Sequence, residues 1–160
     1  MVLRTISIFA LLFTLTGSAS AFDLSALVNK IKAALPSLPT PGPFTGTGAT
    51  ASSLNEFRKQ NGLKPLNSDG RLTSLASVHA ADMARRNSLD HNGFLLYRAP
   101  AGARAENVAY GCKDTTCTIR LWINSSGHRA NMLRPGLKRY GLASATAADG
   151  RRYWALELGE

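Results

Sequence analysis

Trp122-Ile-Asn-Ser-Ser-Gly-His-Arg-Ala-Asn-Met-Leu133 closes one apolar-periodic run at Trp122 and opens another around His128. Two serines between them break and restart the helix. Toward the N-terminus stand two more short polar motifs in apolar surroundings, Ala105-Glu106-Asn107-Val108-Ala109-Tyr110-Gly111 and Leu89-Asp90-His91. Two histidines and one glutamate in separate motifs suit side chains brought from distant segments to one cleft.

The neighbouring elements follow from period and caps. A helix is predicted over about Thr115 to Asn124, with Ile119 and Trp122 inward. Ser125 or Ser126 caps a short helix through Ala130 and Met132, closed by Pro135-Gly136. Tyr140 to Thr146 and Arg151 to Leu158 flank Ala147-Ala-Asp-Gly150 as a β-hairpin. Glu106 to Tyr110 reads as a short strand. Upstream, Ser53-Leu-Asn-Glu56 is a capping box for a helix that carries Leu54 and Phe57 and stops near Gly62. Asp69 caps a second helix with Leu72, Leu75, Ala76, His79 and Met83 on one face. Helices first, strands between and after them, and no βαβ alternation give an α+β domain over residues 52–160. Its length supports one small core.

Before that domain the composition changes twice. Met1 to Arg4 is cationic, Ile6 to Leu15 is apolar, and Ala19-Ser-Ala21 is a small-residue cleavage site. Residues 1–21 therefore read as a signal peptide, with an uncleaved anchor as the competing reading. Residues 22–35 place Leu24, Leu27, Val28, Ile31 and Leu35 on one helical face, an amphipathic segment that stops at Pro36. It is suited to a membrane, a partner, or its own domain. Residues 36–51 are a Pro/Gly/Thr-rich linker. A secreted or periplasmic protein is expected, not integral to the membrane once the leader is removed.

Export makes the cysteines legible. Cys112 and Cys117 form an isolated pair, which in an oxidising compartment is expected to be a disulfide. So small a loop adds about 2–3 kcal/mol at most. A redox or metal pair is the weaker alternative, because the spacing is not Cys-x-x-Cys and no second pair completes a zinc site. The formal net charge of +9, from 19 Lys and Arg against 10 Asp and Glu, favours anionic partners: a wall component, a lipid headgroup or an acidic glycan. Nucleic acid is excluded as a partner by export and by the lack of aromatics interleaved with the basic residues.

Glu106 carries the strongest chemical signal. A carboxylate in a segment that otherwise reads as buried needs a partner. His91 and His128 can satisfy it as hydrogen-bonded imidazoles, in a polar knot that fixes three segments. The three can also bind one Zn²⁺, since two His and one Glu is a ligand set that leaves a fourth position open. No His-Glu-x-x-His helix is present to favour the metal. His128 at a helix start is held neutral by the dipole. His79, on the apolar face of its helix, is expected to pack behind or beside the cleft. Ser126 lies two residues before His128, but capping explains it better than nucleophilic chemistry.

Taken together, these motifs closely resemble the CAP family (cysteine-rich secretory, antigen 5 and pathogenesis-related proteins) in its short bacterial, SCP-like form. Ala105-Glu106-Asn107-Val108 is similar to the family's Gly-Glu-Asn-(Ile/Leu/Val), with Ala for Gly. Trp122 to Leu133 is similar to Trp-x-x-Ser-Pro-Gly-His-Arg-x-Asn-(Ile/Met)-Leu, with Ser126 for Pro. His79-Ala-Ala-Asp82-Met83, His91, Tyr153-Trp154 and Leu158-Gly159 also match. The resemblance implies an α-β-α sandwich around a small antiparallel sheet. It also implies a cleft of two histidines and two acids that holds a divalent metal in some members. His91, Glu106 and His128 match, with Asn107 beside them; the second acid's position is Ser125. With that acid missing, the expected function is a non-catalytic binding module for a ligand, lipid, wall component or protein partner. No cofactor is assigned with certainty; the one candidate is a weakly bound divalent cation, Zn²⁺. The alternatives are a secreted hydrolase acting on peptide or wall substrates through the His/Glu cleft with a metal, and a structural module.

Overall fold

The computed structural model describes residues 51–160. The expected signal peptide over 1–21, the amphipathic segment over 22–35 and all but the last residue of the linker over 36–51 lie outside the described residues.

Caps set the helix starts. Ser53 caps α1 (Leu54–Gln60), its hydroxyl accepting from the Glu56 N–H at 3.2 Å. The capping box is half made, because Glu56 accepts from the N–H and hydroxyl of Ser52 rather than from Ser53. After β1 (Asn67–Ser68), Asp69 caps α2 (Gly70–Arg86) through the Leu72 N–H at 2.9 Å. A π-helical turn covers Phe94–Arg98. β2 (Ala103–Tyr110), α3 (Thr115–Asn124), α4 (Ser126–Met132), β3 (Arg139–Thr146) and β4 (Arg152–Gly159) complete the domain.

The sheet order is β1-β3-β4-β2. β4 is antiparallel to both β2 and β3, while β1 runs parallel to β3. The expected antiparallel sheet is therefore a mixed one. β1 spans two residues, too short for a period to show. β2 starts three residues before Glu106, because a bulge at Arg104 interrupts its alternation. A further correction concerns the serines. Ser125 occupies the cap position of α4 without a side-chain hydrogen bond, and Ser126 is already helical.

Alternation along β2 and β4 sorts the layers. Ala105, Ala109, Trp154, Leu156 and Leu158 pack against Leu54 and Phe57 of α1, Ile119, Trp122 and Ile123 of α3, and Met132 of α4. The opposite face presents Val108, Tyr153 and Ala155 to Ala76, Ala80 and Met83 of α2. Among the described residues this is an α-β-α sandwich, with α2 on one side and α1, α3 and α4 on the other. The α2 face of the sheet is built from small residues, Gly141, Ala143 and Ala145 on β3 and Ala155 on β4, which lets the helix lie close. Glu106 and Glu157 share that face, directly opposite each other in the β2/β4 register.

Cys112 and Cys117 form the expected disulfide, with Cα atoms 5.5 Å apart. It ties the end of β2 to the first turn of α3.

Candidate functional site

Glu106 is buried at the centre of a charged cluster. Arg98, at the end of the π-helical turn, forks onto it: Nε donates to Oε2 at 2.5 Å and Nη2 to Oε1 at 3.0 Å. Nδ1 of His91 is 2.6 Å from Oε1. His79 lies beside the cleft on the helix face, with Nε2 3.7 Å from the same oxygen. That nitrogen donates to the Asp90 carbonyl at 2.9 Å, an acceptor that fixes the proton on Nε2. Burial holds the His79 imidazole below its ordinary pKa, so it stays neutral.

Sequence reading missed two members, Arg98 and Glu157. Glu157 is fully buried, and Arg98 Nε reaches its Oε1 at 3.0 Å while already directed at Glu106. One guanidinium serves two carboxyls. Burial, then the adjoining Glu106 carboxylate, push Glu157 up to about 9. For Glu106, burial acts upward, but hydrogen bonds from the Glu157 carboxyl, Arg98 and His91 outweigh it and hold the group below its usual value. Glu157 thus keeps its proton and Glu106 is the anion, the separation expected of like groups directly opposite on paired strands.

This arrangement has a consequence for stability. Unfolded Glu157 ionises above its ordinary 4.5, whereas the folded group holds its proton to about 9. Its contribution is full below the lower value and is lost as pH rises through that window. His79 and His128, both lowered by burial, act in the opposite sense, since their neutral rings favour the folded state as pH rises. From about pH 7 to 9 the domain should lose roughly 2 kcal/mol in urea unfolding, and Glu157→Gln should abolish that slope. Approach to the pI of ≈ 10.2 relieves self-repulsion and works the other way. An equal slope in wild type and variant would place the proton elsewhere.

The cleft beside this cluster has a volume of ≈ 490 Å³ and brings together His91, Glu106, Ser125 and His128, with Phe94, Arg104, Asn131 and Arg134 on its walls. The bulge at Arg104 turns that side chain out of the strand pattern. His91 remains half-exposed. His128 does not reach Glu106 by a hydrogen bond. Its Nδ1 is buried without a partner among the described residues, and its ring tilts on Trp122 at 6.4 Å. Asn107 does not line the cleft, because alternation along β2 turns it to the opposite face. There it is fully buried, donating to the His128 carbonyl at 3.0 Å and accepting from Asn131 at 2.9 Å. It braces α4 against β2.

The donor set does not fit the divalent cation that the sequence resemblance implies. Both Glu106 oxygens are already bonded, to a guanidinium and an imidazole. Among the described residues no group of three His, Cys, Asp or Glu side chains is placed to hold a metal ion.

The sandwich agrees with comparison to known proteins. The sequence model of the cysteine-rich secretory protein family matches residues 51–158. The chain belongs to the CAP family. The Bacillus subtilis (strain 168) protein YkwD, uncharacterized, is 33% identical over 98 residues, which are 55% of this chain and 38% of YkwD. The chain thus spans well under half the length of that relative. An extracellular protein containing an SCP domain from Bacillus anthracis str. Ames superposes with a TM-score of 0.53 at 26% identity, over 65% of this chain and 37% of that one. An outer surface protein of Borrelia burgdorferi shares the fold at 16% identity, with a TM-score of 0.56 over 67% of this chain and 86% of its own. Among its described residues, no helix of this CAP domain is long and apolar enough to cross a membrane.

Proposed function

We propose that this CAP domain is an exported, non-catalytic binding module whose cleft takes an anionic group of a wall polymer. The observation that carries this reading is the commitment of Glu106. Both of its oxygens are bonded and its charge is matched by Arg98, so it is a poor free base for water. The charges left facing the cleft are cationic. Arg104 has only a long 3.7 Å pair with Glu160, and Arg134 spends one N–H on the Arg104 carbonyl, leaving most of its fork open. Export rests on residues 1–21 and on the basic composition.

One observation favours the hydrolase instead. The His91–Glu106 bond is what an oriented general base requires. The nucleophile is missing from that contact, since no hydrogen bond joins Ser125 to His91. Titration calorimetry with an oligomer of glycerol phosphate, beside inorganic phosphate alone, tests the proposal. The oligomer should bind, and Arg104→Ala/Arg134→Ala should weaken it about tenfold. Turnover of wall or protein substrates that disappears in His91→Ala, an exposed position, would replace the binding module with the hydrolase.

A further inference from the structure

The π-helical turn holds apolar side chains outward. Leu95, Leu96 and Tyr97 are 80%, 75% and 71% exposed, and Val78 on the facing side of α2 is 72% exposed. Tyr97, Val78 and Leu75 line a groove of ≈ 380 Å³ between the turn and α2. Four large apolar residues in one neighbourhood are more than the scattered exposure an ordinary surface shows.

Their exposure is built in. Arg98 anchors the turn from below: its Nη1 donates to the Asn92 carbonyl at 2.9 Å, its other N–H groups hold Glu106, and its guanidinium lies 5.8 Å from the Phe94 ring centre. Gly93 enters the turn at φ +77, where an added Cβ would stand 2.9 Å from the Tyr97 ring. The same residues that assemble the buried cluster therefore fix Leu95, Leu96 and Tyr97 in solvent.

The charges around the patch select its occupant. Arg71, Leu75, Val78, Asp82 and Arg85 recur on one stripe of α2 at helical spacing. Asp82 is neutralised by Arg85 and Arg86, and Asp90 by Arg86. Arg71, exposed and without an ion pair among the described residues, lies about 10 Å along the helix from Val78. The carboxylates of this face are matched by arginines, and a free guanidinium remains at its edge. An apolar tip of two leucines and a tyrosine, with Arg71 at the edge of a charge-balanced face on a chain of net charge +9, matches a bilayer surface carrying anionic phospholipid. We infer that the Phe94–Arg98 turn and the adjoining face of α2 dock on an anionic membrane surface, with Leu95, Leu96 and Tyr97 entering the interfacial layer.

The test is co-sedimentation of the full chain with vesicles of phosphatidylglycerol and phosphatidylcholine. Leu95→Ser/Leu96→Ser should lower partitioning at least tenfold with an unchanged melting temperature. Arg71→Ala, or pure phosphatidylcholine vesicles, should lower it several-fold. A second readout ties the effect to this surface rather than to residues 22–35. With both native cysteines in the disulfide, Leu96→Cys takes an environment-sensitive dye at position 96 alone, and its emission should shift to the blue on vesicle addition. Unchanged partitioning of the double variant, a dye that does not shift, or wild type that stays in the supernatant would each overturn the inference. So would a dimer in sedimentation velocity that dissolves in the double variant while vesicles remain unbound, because the occupant would then be a second copy of this chain.

Discussion

Arg98→Met is expected to destabilise the domain by about 3–5 kcal/mol, measured as a shift in urea unfolding near neutral pH. Methionine keeps most of the side-chain volume and removes the guanidinium, which is nearly enclosed by protein. What remains is a buried Glu106 carboxylate facing a buried Glu157, with the half-exposed His91 ring 2.6 Å away as its remaining hydrogen-bond partner. An unmatched buried charge costs more than the ion pair was worth. The triple variant Arg98→Met/Glu106→Gln/Glu157→Gln should therefore recover a large part of the loss, since no ion is left to strand. Recovery of nothing would mean that Arg98 acts through packing and through its bond to Asn92, not through charge.

Gly141→Ala is expected to cost about 3 kcal/mol or more, or to prevent folding. A Cβ on Gly141 would stand 2.1 Å from both the Leu72 carbonyl carbon and the Thr73 nitrogen, and 2.5 Å from the Leu72 oxygen. These are backbone atoms of α2, so no rotamer relieves the clash and the helix must lift from the sheet. His79 rides on that helix, and its distance from Glu106 would grow with the displacement. Gly159→Ala is a milder contrast, because its contacts are looser, 3.0 Å to the end of the flexible Leu72 side chain and 3.1 Å to the Gly102 carbonyl oxygen. Gly70→Ala, with open space around it at the first position of α2, should change stability by less than about 0.5 kcal/mol. Calorimetric melts of the three variants rank them, and an unperturbed Gly141→Ala melt would contradict the close approach of α2 to β3.

Glu106 was legible because a carboxylate between Ala105 and Asn107-Val108-Ala109 interrupts apolar residues. Glu157 gives the same signal within Tyr153-Trp-Ala-Leu-Glu157-Leu, and period-two alternation places it with Tyr153 and Ala155 on one face. What no local pattern supplies is the pairing of β2 with β4. That register, set by core packing across 51 residues of chain, turns two isolated acids into a facing pair, one neutral and one charged. Arg98 was hidden for a related reason. Phe94-Leu-Leu-Tyr-Arg98 has no helical or strand period, so nothing marked its last residue as turned inward. The α3 helix was readable because its inward positions, Ile119, Trp122 and Ile123, follow the helical repeat. Asn107 was misplaced by treating a motif as a site, although adjacent strand residues face opposite ways.

β4 follows every other element along the chain, yet it lies between β3 and β2 in the sheet. Chain emerging from a ribosome reaches residue 151 with the middle of its sheet missing. At that stage β2 and β3 each keep an unsatisfied edge, α2 covers a gap, and Glu106 has no second carboxyl opposite it. Closure then depends on contacts of long sequence separation, which form slowly. The nascent domain therefore stays open until β4 arrives. The cost is a period in which β3 keeps a bare edge and β2 lacks any strand partner, so that both invite pairing with other chains until β4 inserts between them.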